Sequence, residues 1–459
     1  MRTNTLDTVV TSLKELTEDI SKTLPFEKPQ GLFKMPRKLQ FTWPSLKIGD
    51  LEAKIPVVQG GMGVGISLSG LAAATANAGG IGVIAANGIG LLEKDYYSDG
   101  RAANLRALRR EIRTARRLTD GIIGVNIMVA LEDFHQLLEV AIEERVDVVF
   151  MGAGLPIKGL PVEAMRENGV KAVPIVSSVR AAQMIFRMWK KIYGDVPDAV
   201  VFEGPLAGGH LGFAKEQLDD PEVQLQSIVP DLAAELRPFE EEFNRSIPLI
   251  AGGGVFTGTD IQEALALGAS AVQMGTRFVA TDECDADDAF KQAYVDSTPE
   301  QIGLIDSPVG MPGRALRNEF IRSTEAGERP EFRCAWQCLA SCKADKANYC
   351  ISVALNNARR GKLKHGFVFA GANAYRVEEI VPVQSLVSQL AEEYRLAARE
   401  QVARRLQPLV DAISALRERY TAARPSRAEL QELQARLVDH LSDAWSILRR
   451  WSSESAQKS

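Results

Sequence analysis

Several things are scarce in this chain, and each scarcity excludes something. Among 459 residues there are four histidines and five cysteines. Four of the cysteines are clustered, which does not suit the disulfide framework of a small secreted protein. No run of about 18 apolar residues occurs, so a membrane helix is not expected. There is no basic excess: Lys and Arg total 54 against 59 Asp and Glu, a net charge of −5. No global positive field therefore points to nucleic acid. The first twenty residues, "MRTNTLDTVVTSLKELTEDI", mix charge throughout and lack the apolar core of a signal peptide. A soluble cytoplasmic protein is expected. What the chain does have is a globular composition, 46% hydrophobic and 25% charged. It is long enough for a domain of about 250 residues with additions.

Residues 1–48 read as an amphipathic helix and a Pro-rich connection, "LPFEKPQGLFKMP". From residue 49 short apolar runs alternate with helical patterns. The runs are 55–60, 80–87, 121–129, 146–154, 171–178, 198–204, 247–254 and 271–278. They are continuously apolar, as parallel strands covered on both faces are. Eight β-then-α units predict an α/β fold, a (β/α)8 TIM barrel, over 49–325. The longest insertion, 211–246, follows strand six and suits a lid or binding loop. Residues 326–382 hold the clustered cysteines, and 383–459 form a helical tail broken at "TAARPS". The tail's apolar face (Leu406, Val410, Ile413, Leu416, Leu430, Leu433, Leu437, Leu441) suits packing on the barrel or in a homodimer.

Active sites of such barrels lie at the C-terminal strand ends. There strand one ends in "QGGMGVG", strand three in Asn126, strand six in "EGPLAGGHLGF", strand seven in Gly252, Gly253 and Gly254, and strand eight in Gln273, Met274, Gly275 and Thr276. Glycines after strands seven and eight, with a helix starting at Thr257 or Thr259, predict a phosphate site. The "GGMGVG" spacing is not G-x-G-x-x-G, and strand two ends in Asn87 rather than an acid, which excludes a Rossmann reading. His210 stands among Gly204, Gly208, Gly209 and Gly212 at a strand end, where a titratable ring suits catalysis better than packing. His135, His365 and His440 suit surface or packing roles.

"PVVQGGMGVG", "GVNIMV", "EGPLAGGHLGF", "IPLIAGGG", "ALALGASAVQMGTRFVATDE" and "GMPGRALRNEF", in this order, resemble the nitronate monooxygenase (2-nitropropane dioxygenase) family. Its relatives include FMN-dependent enoyl-ACP reductases. The resemblance covers residues 50–325 and implies an FMN-containing TIM barrel. It places Gly60, Gly61 and Met62 against the flavin ring, with Asn126 and Glu203 as further contacts. Gly208, Gly253 and Gln273 to Thr276 would hold ribityl and phosphate groups, with Gly209 beside them, and His210 would be catalytic. The family pattern "QGxEAGGH" departs at Glu203 and Leu206, which bears on the substrate. The implied function is oxidation of nitronates or nitroalkanes with O2 to a carbonyl compound and nitrite. An NAD(P)H-dependent enoyl-thioester or quinone reductase is the alternative, and a non-catalytic flavin- or phosphate-binding scaffold the alternative of another class.

Cys334, Cys338, Cys342 and Cys350 give C-x3-C-x3-C-x7-C. Four thiols can ligate an iron–sulfur cluster or zinc. The spacing matches neither the ferredoxin run nor paired C-x2-C, and small buried hydrophobes are the plainer account. On a helix the first three would share one drifting face. Cys284 stands alone.

Overall fold

The computed structural model describes residues 6–23, 39–340, 342–422 and 427–449. The Pro-rich connection, residues 423–426 of the tail break, and the side chains of Leu430, Leu433 and Leu437 lie outside the described residues.

The chain forms two compact units, Pro44–Gln389 and a second built from Met1–Trp43 with Leu390–Ser459. In the first, all eight apolar runs are strands: β1 (Val57–Gln59), β2 (Gly82–Ala85), β3 (Ile123–Met128), β4 (Val148–Gly152), β5 (Lys171–Val176), β6 (Val200–Glu203), β7 (Leu249–Gly252) and β8 (Ala271–Met274). They pair in parallel around one sheet in the order β1-β8-β7-β6-β5-β4-β3-β2. A parallel bridge between Val58 and Ile81 closes the ring. At that seam the buried Gln59 amide extends the ladder, its Oε1 accepting the Val83 N–H at 2.9 Å. The fold is therefore the (β/α)8 TIM barrel that the spacing of apolar runs predicts.

Inward side chains fill the barrel: Val58, Val83, Val148, Phe150, Val173, Val201, Ile250 and Ala271 belong to one buried cluster. Leu46, Ile48 and Ala53 of an antiparallel hairpin join that cluster and plug the N-terminal mouth. Lys171, at the start of β5, pairs with Asp50 of the hairpin turn. The plug leaves the opposite, C-terminal mouth to function.

The helices follow the β-then-α reading, for example Gly100–Leu118, Val179–Tyr193 and Gly258–Leu267. The 211–246 insertion is not one long loop. Leu225–Phe243 is a helix, with Pro230 and Pro238 inside it, so irregular chain is confined to the stretch just after His210. The first three clustered cysteines are not on a helix: the described residues of 329–349 carry turns and one bridge, Leu131 to Leu339.

In the second unit, helix Leu6–Thr23 buries Leu6, Val9, Leu13 and Leu16 at the helical spacing of its apolar positions. Arg399 donates to Asp7 at 2.8 Å, and Trp43 packs on Tyr394 with centroids 6.0 Å apart. Leu406, Val410, Ile413, Leu416 and Leu441 are buried, as the tail's apolar periodicity requires.

Candidate active site at the barrel mouth

Strand side chains alternate, so the residue two beyond an interior one also points inward. Stepping from Val58, Val201, Ile250 and Ala271 gives Gly60, Glu203, Gly252 and Gln273. Asn126 stands opposite Phe150, and Gly252 lies between Glu203 and Gln273 in register. The uppermost interior layer thus changes from branched aliphatics to glycines and three polar side chains. The alternation places Asn126, Glu203 and Gln273 there together.

Loop geometry builds the rest. The Gly60 N–H donates to the Met274 carbonyl at 2.8 Å, joining the strand-one and strand-eight loops. A Cβ on Gly61 would overlap the Asn126 side chain, so that glycine admits Asn126. Val64, buried and β-branched, is held at φ 53, and its N–H bonds the Asn87 carbonyl at 2.7 Å. Strain of this kind collects at functional loops. Gly253 (φ 90) and Gly254 (φ 96) make the turn after β7. Thr257 caps the following helix in a reciprocal box with Asp260. At Gly275 an added methyl would meet only Met62 Sδ at 3.7 Å, and at Gly209 nothing within 4 Å. Both therefore present bare backbone to open space. Gly208 does not: a Cβ there would come within 2.6 Å of the Ala370 backbone, so it serves packing.

His210 sits on a short strand, Gly209–His210, that pairs with Pro312–Leu316; that strand in turn pairs with Ile302–Asp306. Its Nε2 is 2.8 Å from Ser307 Oγ, and its ring meets Phe369 edge-on at 5.0 Å. Burial without a nearby anion lowers its pKa to about 4, so the ring is neutral at ordinary pH. Ser307 Oγ also receives the Val309 N–H at 3.4 Å. The direction of the Nε2–Ser307 bond follows the tautomer: with the ring proton on Nδ1 the hydroxyl donates to Nε2, and with it on Nε2 the ring donates to the hydroxyl. Glu203 is the complementary case. Burial raises its carboxyl to about 7, with no cation beside it.

The sequence reading missed the elements that hold this histidine. Arg314 donates to the Pro205 and Ala207 carbonyls, the latter at 2.9 Å, and so clamps the loop leading to His210. Residues 368–373, assigned from sequence to the cysteine segment, return across the mouth. Gly371 N–H donates to Thr276 Oγ1 at 3.3 Å, Ala372 N–H to the Leu206 carbonyl at 3.0 Å, and Asn373 Nδ2 to the Gly254 carbonyl at 2.7 Å. The Arg376 and Arg277 guanidiniums lie over the Phe256 ring at 4.5 and 4.7 Å, bringing positive charge beside the glycine turns. Among the other histidines, His135 and His365 are exposed, and His440 lies in the tail helix Arg427–Arg449.

Residues 45–393 match the nitronate monooxygenase family. The chain belongs to that family. With it the chain falls among the oxidoreductases, and the family fold agrees with an FMN-type barrel. It is 28% identical over 380 residues to a nitronate monooxygenase of Pseudomonas aeruginosa, covering 74% of this chain and 96% of that one. It is 31% identical over 274 residues to the (3aS,4S,5R,7aS)-5-hydroxy-7a-methyl-1-oxo-octahydro-1H-indene-4-carboxyl-CoA dehydrogenase of Mycobacterium tuberculosis, covering 60% of this chain and 66% of that protein. Among solved structures, FabK from Thermotoga maritima superposes with a TM-score of 0.59 at 30% identity, over 76% of this chain and 95% of FabK. The nitroalkane oxidase of Streptomyces ansochromogenes gives a TM-score of 0.58 at 25% identity, over 75% and 97%. No helix among the described residues is long and apolar enough to cross a membrane.

Proposed function

We propose that this chain is an FMN-dependent oxidoreductase that converts nitronates or nitroalkanes, with O2, to a carbonyl compound and nitrite. The observation that carries this reading is His210: a neutral, largely buried ring held by Ser307 beside the bare backbone of Gly209. The mouth also suits the cofactor. Gly275 and Thr276 offer backbone and a hydroxyl for a phosphate, next to the left-handed turn at Gly253 and Gly254 and with Arg277 and Arg376 adjoining. Gly60, Met62, Asn126 and Gln273 supply a flat, partly polar floor suited to a flavin ring.

Bound FMN supplies the electron-accepting chemistry. The chain's residues supply position and field. With its proton on Nδ1, the neutral His210 ring would donate one hydrogen bond, which suits an oxygen of the nitro or nitronate group. Because its pKa is lowered, that donor stays neutral across the working range. Ser307 fixes the ring's rotation and Arg314 the backbone beneath it. Residues 369–373 cover the mouth and limit water.

One observation favours a second reading. Glu203 places an acid with a raised pKa on the interior layer, where an anionic nitronate gains nothing from it. A neutral enoyl or acyl thioester, or a quinone, avoids that repulsion, and NAD(P)H would then be the electron donor. The dehydrogenase and FabK likenesses are compatible with such a substrate. Parallel steady-state assays decide between the two readings. Nitrite release from propionate 3-nitronate or nitroalkanes supports the first. NAD(P)H oxidation with an enoyl thioester or quinone, without nitrite, replaces it with the second. FMN binding with no turnover of any of these substrates would favour a scaffold over both.

A further inference from the structure

Four cysteines separated in sequence lie around one cavity. Cys334, Cys338, Cys342 and Cys350 all line a single cavity of about 560 Å³, beside Tyr96 and Trp336. None is in a disulfide. The Cys338 sulfur lies 3.8 Å from Ser352 Oγ, on the helix that Cys350 caps. The fifth, Cys284, lies elsewhere, against the Ile66 carbonyl.

The surrounding chain is built to hold something. Among the described residues of 329–349 there is no helix, yet they are pinned to the barrel. Glu132 N–H donates to the Cys338 carbonyl at 3.2 Å, and Ala340 N–H to the Ala130 carbonyl at 3.1 Å. Trp336 packs onto Gly100 so closely that a Cβ there would overlap it. A structureless run of this length inside a compact unit is uncommon, and a bound group is one cause of order in such a run. Cys350 is the N-cap of helix Ile351–Arg359, so the fourth thiol sits at the foot of that helix on the cavity wall. Arg333 and Lys343 on the cavity wall add compensating charge.

We propose that Cys334, Cys338, Cys342 and Cys350 ligate an iron–sulfur cluster in this cavity. Four soft sulfur donors select iron–sulfur or zinc over hard cations. A single zinc ion, with Zn–S near 2.3 Å, would draw its sulfurs to within about 4 Å of one another. No group of three His, Cys, Asp or Glu side chains among the described residues is gathered for one ion. Thiolates around a sulfide-bridged cluster stand farther apart, and the cavity has the room. The same cavity is walled by Pro308 and Val309, next to the Ser307 that holds His210. The cluster site and the active-site loop thus share a wall.

The test uses the full chain, purified without oxygen. Iron and acid-labile sulfide are measured, and spin resonance is recorded after reduction with dithionite. The expected result is iron and sulfide in equal amounts, about two or about four of each per chain. Cys338→Ser and Cys350→Ser are expected to lose most of the iron, while Cys284→Ser keeps it. Because a ligand variant can fail to fold, the wild-type chain is also stripped with chelator and rebuilt with ferrous iron and sulfide. Return of the cluster absorbance, with slower amide exchange in residues 332–350, supports the site. Zinc without sulfide, no metal after reconstitution, or undiminished iron in both ligand variants would overturn it. None of these readouts depends on the FMN reading.

Discussion

Replacing Glu203 by Gln tests the electrostatics of the mouth through stability. Its carboxyl has an ordinary value of 4.5 and is raised to about 7 by burial. Ionisation is therefore disfavoured in the folded state. Stability is lost as pH climbs from the unfolded-chain value of 4.5 to about 7 and is level beyond. The full rise corresponds to about 3 kcal/mol, and to about 2 kcal/mol once the solvent that the side chain still meets is allowed for. Gln keeps the shape and removes the charge. At pH 5 the variant is expected to melt close to wild type. At pH 8 it is expected to melt higher by about 4 °C, since about 2 °C accompanies each kcal/mol at this size. Thermal melts of both proteins at both pH values measure the difference. A gap that is the same at pH 5 and pH 8 would show that Glu203 is not a desolvated acid. On the nitronate reading the variant also gains kcat/KM at pH 8, because the like charge is gone.

Other perturbations bear on the same site. His210→Ala is expected to lower turnover about 100-fold or more with FMN content unchanged; loss of FMN instead would make His210 structural. Because burial lowers its pKa to about 4, wild-type activity should not fall through His210 protonation until the pH drops below about 5. A pH–rate profile breaking near 6.5 contradicts that. Ser307→Ala removes the partner of His210 Nε2 and is expected to lower kcat about fivefold, near 1 kcal/mol, with little change in melting. Gly253→Ala forces a side chain to φ 90 and within 2.6 Å of the Gly204 carbonyl. FMN affinity is expected to drop at least tenfold, as strain of one to a few kcal/mol implies; equilibrium titration with FMN reads it.

The barrel was legible because parallel strands covered on both faces read as uninterrupted apolar runs, and all eight fall inside the predicted segments. His210 was legible because glycines around a strand-end ring are an unusual local pattern. Its supports were not. Ser307, Arg314 and Phe369 lie 97, 104 and 159 positions further on and look like ordinary hairpin or loop residues. Only the pairing of Gly209–His210 with Pro312–Leu316 brings them in. The role of residues 368–373 was hidden likewise, since "FAGAN" reads as a turn until its amides are seen on Thr276 and Leu206. Which neighbour each glycine admits was not legible either: Gly208 lies against the Ala370 backbone and Gly253 against Gly204. The cysteine spacing suggested a helix face, whereas an irregular segment brings the thiols around one cavity.

The central claim is that the mouth around His210 is a flavin site. The most direct measurement is the visible spectrum of the purified chain, with the chromophore released and identified by mass. The account predicts a yellow protein, or one that turns yellow on adding FMN, holding equimolar FMN. A chain that stays colourless after FMN addition and binds none would contradict it.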